Sequence, residues 1–460
     1  MKIKIAFNGH TIEAAEGEIL SDALIRNRLL HSHPCGGKGI CGKCKVLVDG
    51  TPELACKYVI THEVNIVKAS EGEILSEADP SVSNGDLGTD LVLDLGTTTL
   101  ALALIDKKRK CIVKVAKATN PQRAFGADVI SRIEYCQKNG VYLLTELIRT
   151  EVQRMIKELG AADLERLYVA GNTTMLHIFA GIDPSGMGIA PYTPSFLDET
   201  ERSAGDFGLS GVRSVRLFPS ISAFVGADIV AGIYYLGLPR KKYRLLLDLG
   251  TNAEIALFSK DRIITTSAAA GPCFEGANIS SGMSASDGAI YHYDGISVKT
   301  VNNYPARGIC ATGLVDIIAF LLRRAKIDVR GTLDEEEFEV APAVSLTQDD
   351  IRQYQLAKSA IHSAILTIMQ KFEVGFEDIE ALYIAGGFSS KMSPQNAALT
   401  GLIPWELADR CYSIGNSCLM GAIGAALEGD DLKAATDMAL YHDLSSDTTF
   451  ADLFLKKMDF

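Results

Sequence analysis

The sequence predicts an α/β protein in two parts. A small N-terminal domain of short strands carries a cysteine loop, and a duplicated, two-lobed domain of helix-covered sheets follows. Three observations carry this. Cys35, Cys41, Cys44 and Cys56 stand at C-x5-C-x2-C-x11-C. An apolar strand, an Asp-Leu-Gly-Thr turn and a returning apolar strand occur twice, from Leu91 to Leu102 and from Leu245 to Leu257. Downstream of each copy a second segment recurs: Asp163 to Gly171 and Asp378 to Gly386 are identical at six of nine positions. Two lobes built on one plan imply a cleft between them.

The 460 residues, 47% of them hydrophobic, suffice for two or three domains with sizeable cores. The longest apolar stretches, around Leu100 to Ile105 and Val315 to Leu322, break off well short of the roughly 18 residues of a membrane span. Lys2 to Phe7 alternates like a strand and lacks the apolar block of a secretory signal, so a cytoplasmic location is expected. A net charge of -12 and a pI near 5.3 disfavour nucleic acid or an anionic membrane as partner. The first 70 residues differ, with nine Lys or Arg against seven Asp or Glu. Lys38, Lys43, Lys45 and Lys57 crowd the cysteine loop. They either offset a cluster's charge, dock an acidic partner, or are ordinary solvated lysines.

In chain order, Ile3 to Phe7, an Asn8-Gly9 turn and His10 to Ala14 read as a β-hairpin. A short helix with Leu20 and Leu24 on one face follows, then the glycine-rich cysteine loop, then a strand at Val46 to Val48. In a reducing compartment such spacing signals metal rather than disulfides. Four thiolates suit either zinc or iron-sulfur. Zinc sites usually pair two C-x2-C knuckles, whereas here three cysteines share one loop and the fourth arrives alone. Residues 1–70 resemble the plant-type and adrenodoxin-like 2Fe-2S ferredoxins. That resemblance implies a β-grasp domain with Cys35, Cys41, Cys44 and Cys56 as cluster ligands. The other six, Cys111, Cys136, Cys273, Cys310, Cys411 and Cys418, show no ligand spacing and read as small buried hydrophobes.

Residues 71–89, rich in Ser, Gly, Asp and Glu, read as a linker. Lobe I is expected over 90–240 and lobe II, with a C-terminal tail, over 241–460. Leu144, Ile148, Val152, Met155 and Leu159 form one apolar stripe, which predicts a helix from Tyr142 to Leu159 ending at Gly160. A second long helix is expected from Asp350 to Phe372. The two Asp-Leu-Gly-Thr turns carry the chemistry. Their glycines allow tight hairpins whose backbone N–H groups face a phosphate, threonine hydroxyls add donors, and the aspartates can hold hydrated Mg2+.

This set resembles the actin, Hsp70 and sugar-kinase ATPase superfamily, a duplicated two-lobed actin-like (ribonuclease H-like) fold. The resemblance makes Asp94, Gly96, Thr97, Thr98 and Thr99 the first phosphate loop and Asp248, Gly250, Thr251 and Asn252 the second. Gly386 and Gly387 become the adenosine turn. Asp228, before the second loop, either orients the attacking water or serves a helix N-terminus. Glu275 and Gly276 are expected to shape the nucleotide pocket.

With Asn120 to Arg132 and Ala170 to His177 added, the whole chain resembles the ATP-dependent reductive activators of corrinoid proteins. That family implies a 2Fe-2S cluster, ATP and Mg2+ as cofactors. Its partners are a corrinoid methyl-carrier protein and a low-potential electron donor, and a homodimer is expected. The reaction passes one electron from the cluster to Co(II), regenerating Co(I) for methyl transfer. A potential shortfall of roughly 300 mV is about 7 kcal/mol, so ATP must bias the transfer. Many members insert a long linker and a small middle domain between the two parts, whereas about twenty residues stand here. Two other functions stay open: an actin-like small-molecule kinase, and an ATP-regulated redox sensor or electron carrier.

Overall fold

The computed structural model describes residues 2–7, 10–27, 45–48, 51–67, 88–126, 128–250, 252–386, 391–430 and 432–460. Cys35, Cys41, Cys44, Thr251, Gly387 and nearly all of the expected linker lie outside the described residues. The chain divides into two compact units, Met1–Val82 with Ile105–Lys114, and Ser83–Leu104 with Val115–Phe460.

The first unit begins with the expected hairpin, β1 (Lys2–Phe7) and β2 (His10–Ala15), in the register Ile5↔Ile12. Alternation sends Ile3, Ile5, Ile12 and Ala14 to one buried face. Helix α1 (Leu20–Arg26) covers that face with Leu20, Ala23 and Leu24. Strands β3 (Lys45–Val48), β4 (Thr51–Leu54) and β5 (Val64–Val67) complete a sheet of order β2-β1-β5-β3-β4. β1 and β5 run parallel, and the other pairs antiparallel. This is the expected β-grasp arrangement.

Lobe I comprises β6 (Thr89–Leu95), β7 (Thr99–Asp106), β8 (Cys111–Thr119), α2 (Val129–Asn139), α3 (Tyr142–Glu158), β9 (Leu164–Gly171), α4 (Thr173–Ala180), β10 (Thr200–Ser203), β11 (Val212–Leu217) and α5 (Ala227–Leu236). Lobe II opens with β12 (Tyr243–Leu249), β13 (Ala253–Phe258) and β14 (Ile263–Ala268). A small sheet of β15 (Ala289–Tyr293), β16 (Val298–Thr300) and β17 (Gly308–Ile309) follows, then α6 (Ala311–Arg323) and the β18 (Glu337–Ala341) and β19 (Val344–Thr347) hairpin. The lobe continues through α7 (Gln348–Lys371), β20 (Ile379–Ala385), α8 (Pro394–Leu399), β21 (Cys411–Gly415), α9 (Ser417–Glu428) and β22 (Ala439–Tyr441).

The duplication read from sequence is visible strand by strand. One sheet runs β10-β11-β9-β6-β7-β8 and the other β21-β20-β12-β13-β14-β22, so β11-β9-β6-β7-β8 repeats as β21-β20-β12-β13-β14. Register repeats too: Asp94 lies opposite Ala170, and Asp248 opposite Ala385, on parallel neighbours. Central parallel strands bury both faces, which is why Leu91-Val-Leu93 and Leu245-Leu-Leu247 read as unbroken apolar runs. Helix α3 buries Leu144, Ile148, Val152 and Met155, with Leu159 at its C-cap, as the stripe predicts. Helix α7 starts at a Thr347/Asp350 capping box, two residues before the expected Asp350.

The helices that follow β11 and β21, α5 and α9, pack closely on one another. A Cβ on Gly421 would stand 1.8 Å from the Ala231 carbonyl oxygen, so only glycine permits this approach. Two cysteines depart from expectation. Cys111 is half-buried rather than buried, and Cys418 donates its thiol hydrogen to Asp94, so it is not merely a small hydrophobe.

Candidate functional site

The first loop joins β6 to β7 and rests on the segment Asn120 to Arg132. The Asn120 amide donates to the Gly96 carbonyl at 2.9 Å, and its backbone N–H to the Thr98 carbonyl at 3.0 Å. Arg132 is fully buried and fans its donors over the Thr97 carbonyl (2.6 Å), the Gly126 carbonyl (3.0 Å) and the Gln122 side-chain oxygen (3.0 Å). Burial pushes its guanidinium down to about 10, against the pull of Asp128 and Glu275. Three carbonyl-side contacts on a buried cation make a rigid underside, since each donor lost would strand a desolvated acceptor. Thr99 opens β7 and is exposed.

The second loop joins β12 to β13, with the Gly250 N–H donating to the Asn252 carbonyl at 3.0 Å. Its returning strand places Glu254 directly opposite Asp248. Behind the first loop Gly171 ends the neighbouring strand, and behind the second Gly386 directly follows the neighbouring strand. A Cβ on Gly171 would lie 2.7 Å from the Leu95 carbonyl, and one on Gly386, at φ 113°, 2.8 Å from the Leu249 carbonyl and 3.6 Å from the Asp248 carboxylate. Only glycine fits either place. The Gly386 N–H donates to the Gly415 carbonyl at 3.1 Å.

Side chains then cross from lobe to lobe. The Thr98 hydroxyl donates to Glu275 Oε2 at 3.0 Å, and Glu275 Oε1 stands 3.8 Å from where a Cβ on Gly250 would be. Glu275 therefore sits between the two loops. It ends the 3-10 turn Pro272–Glu275, and Gly276, at φ 82°, fits against the Met283 backbone. The Asn416 amide of lobe II donates to Asp94 Oδ2 of lobe I at 2.6 Å. Asp228 occupies the first turn of α5 and accepts the Ile229 N–H at 2.8 Å. It serves the helix N-terminus and also acts on Asp248 and Glu254.

The electrostatics of this end are acidic. Burial and then Asp228 and Asp94 push the Asp248 carboxyl up to about 7. Burial, with Asp94 adding to it, brings Asp228 to about 6. Glu254 is driven well above the carboxylate range by burial, Asp228 and Asp248. Asp94 is raised by burial but eased by Asn416 and Cys418. The charges acting most strongly on Asp248 and Glu254 are all negative, an arrangement that calls for a cation. Among the described residues no three Asp, Glu, His or Cys side chains form a direct metal cage.

Glu254, Asn416 and Cys418 were not singled out from sequence as site residues. Glu254 alone left a signal, a charge where the first copy of the repeat has Leu100. Asn416 and Cys418 left none, because they reach Asp94 across more than 320 residues. At the other end of the chain, Cys56 is buried after β4, against the core of the first unit. Its sulfur, screened from water, fits a cluster ligand.

Comparison with known proteins gives three matches along the chain. Residues 3–73 match the 2Fe-2S iron-sulfur cluster binding domain, 89–241 the RACo middle region, and 242–460 the C-terminal domain of RACo, the ASKHA domain. The segment matching the middle region coincides with lobe I of the duplicated fold. The corrinoid activation enzyme RamQ of Eubacterium limosum is 30% identical, over 99% of this chain and 98% of its own. The [Co(II) methylated amine-specific corrinoid protein] reductase of Methanosarcina barkeri is 28% identical, over 76% of this chain and 72% of its own. A solved structure titled reductive activator for corrinoid, iron-sulfur protein superposes with a TM-score of 0.75 at 27% identity, covering 99% of this chain and 98% of that one. No helix among the described residues is long and apolar enough to cross a membrane.

Proposed function

The chain belongs to the family of reductive activators of corrinoid proteins, and we propose that it uses ATP to drive one electron from a 2Fe-2S cluster onto Co(II) of a corrinoid methyl carrier. A cluster held by the first domain would supply that electron, and the substrate cobalt would leave as Co(I). The observation that carries the reading is the pair of equivalent loops joined across the lobes, Thr98 to Glu275 and Asp94 to Asn416, in a chain that also matches a ferredoxin-type domain.

In this reading residues 1–70 store the electron, with Cys35, Cys41, Cys44 and Cys56 as cluster ligands, and 71–89 tether them to lobes at 90–240 and 241–460. When bound, the cluster supplies a one-electron donor and Mg2+ neutralises phosphate charge. Asp248, Asp228 and Glu254 would face the ion through water. Gly96, Thr97 and Thr98 from one lobe and Gly250, Thr251 and Asn252 from the other present donors to the phosphates. Gly386 and Gly387 make room for the adenosine. Closure of the lobes on ATP favours the partner complex in which Co(II) is easier to reduce, and hydrolysis releases the product. A low-potential protein refills the cluster, and the working form is a homodimer.

The test mixes reduced protein, MgATP and a Co(II) corrinoid protein without oxygen and follows the Co(II) absorption band. Loss of the band only with ATP is expected. Persistence of the band with an intact cluster would defeat the reading, and a small molecule phosphorylated instead would favour a kinase.

A further inference from the structure

Resting on the reading of Asp94 as part of the nucleotide site, we infer that Asn416 is a positioning residue: it aligns Asp94 only when the two lobes are together. Asp94 is the next-to-last residue of β6 in lobe I, and Asn416 is the N-cap of α9 in lobe II. The amide has no freedom of orientation. Its Oδ1 accepts the Leu419 N–H at 2.8 Å as the helix cap, which turns its NH2 group toward Asp94, 2.6 Å away. The neighbouring Cys418 thiol is a second donor to the same carboxylate.

The internal duplication supplies a control. Helix α5, the counterpart of α9, has Gly226 at its N-cap with no side-chain bond, and its second residue is Asp228 where α9 has Cys418. The fold therefore tolerates this position without an amide donor, so the donors facing Asp94 are not a requirement of the architecture. At the equivalent helix end Asp248 feels the negative charge of Asp228, whereas Asp94 is held by donors. A desolvated carboxylate keeps its charge and one rotamer only while such donors remain. The donors come with α9, whose place is set by the close contact of Gly421 with Ala231. A shift of lobe II away from lobe I would leave Asp94 without them.

Asn416→Asp tests this cleanly, because it keeps an acceptor for the Leu419 N–H and turns the donor facing Asp94 into an acceptor. The expected result is a retained fold with a Tm lowered by the added carboxylate, and a kcat for ATP hydrolysis lowered about ten- to hundred-fold. The MgATP-induced fall in radius of gyration should also be lost. The paired exchange Asp94→Asn with Asn416→Asp restores one hydrogen bond with donor and acceptor reversed. It should regain the compaction without regaining hydrolysis, a split that a purely structural role would not produce. Normal hydrolysis by Asn416→Asp beside an impaired Asp94→Asn overturns the inference and leaves the site reading standing. Normal hydrolysis by Asp94→Asn overturns both. Should Asn416→Asp fold poorly, Asn416→Ser keeps a capping oxygen that cannot reach Asp94, and an undiminished kcat there would equally refute the idea.

Discussion

The two lobes share strand order, register and turn sequence, yet their phosphate loops are built for different work. The first loop stands on a buried cation, Arg132, and a buried amide, Asn120, and its aspartate meets neutral donors. The second loop gathers Asp248, Asp228 and Glu254, each raised by burial and by its neighbours. Duplication supplied one scaffold twice, and the departures from symmetry divide the labour: a rigid hydrogen-bonding wall on one side, an acidic, cation-seeking wall on the other.

The largest test of that division compares the two aspartates. Asp248→Asn should lower ATP hydrolysis about 100- to 1,000-fold, as removal of a group that stabilises developing charge does. Asp94→Asn should cost about ten- to hundred-fold, the scale of a lost charged hydrogen bond. Equal losses in steady-state assays would break the comparison. Neither variant should alter the visible spectrum of the cluster, whereas Cys44→Ala should abolish it and spare nucleotide binding.

Arg132→Met probes the wall itself. Stranding the Thr97 and Gly126 carbonyls should cost about 2–4 kcal/mol in denaturant unfolding. It should also weaken MgATP binding. A stable variant with normal affinity would show that the first loop holds its shape unaided.

Exchanging the residues that break the repeat sharpens the contrast from both sides. Leu100→Glu buries a charge in a fully enclosed position and should cost roughly 3 kcal/mol or more. Glu254→Leu removes a carboxylate from an acidic cluster and should raise Tm in the absence of Mg2+.

The smallest expected effect is on pH dependence. Asp248 at about 7 and Asp228 at about 6 lie above their ordinary value of 3.8, so the folded state retains protons that the unfolded chain releases. Their contribution is most favourable near pH 4 and is lost as pH rises through 6 and 7. Thermal unfolding across that window should show Tm falling without Mg2+, and a shallower fall with MgATP or in Glu254→Leu. A slope indifferent to both would mean that the cluster does not carry the charge assigned to it.

Much of this organisation was legible in the residues, because it is local. The 3.6-residue stripe fixed α3, the apolar runs fixed β6 and β12, and the repeated Asp-Leu-Gly-Thr turns announced both loops. Hairpins, helices and turns follow from short-range sterics and periodicity, and a duplication preserves them in register. What the tertiary structure alone decided are the contacts between segments far apart in the chain: Glu275 between the loops, Asn416 and Cys418 on Asp94, and Glu254 among the carboxylates. The sequence marks Glu254 as a break in the repeat and Glu275 as a pocket residue, but no pattern in it encodes the contacts themselves. They arise only when two lobes fold, pack α5 against α9, and bring desolvated charges close enough for each to set the state of the other.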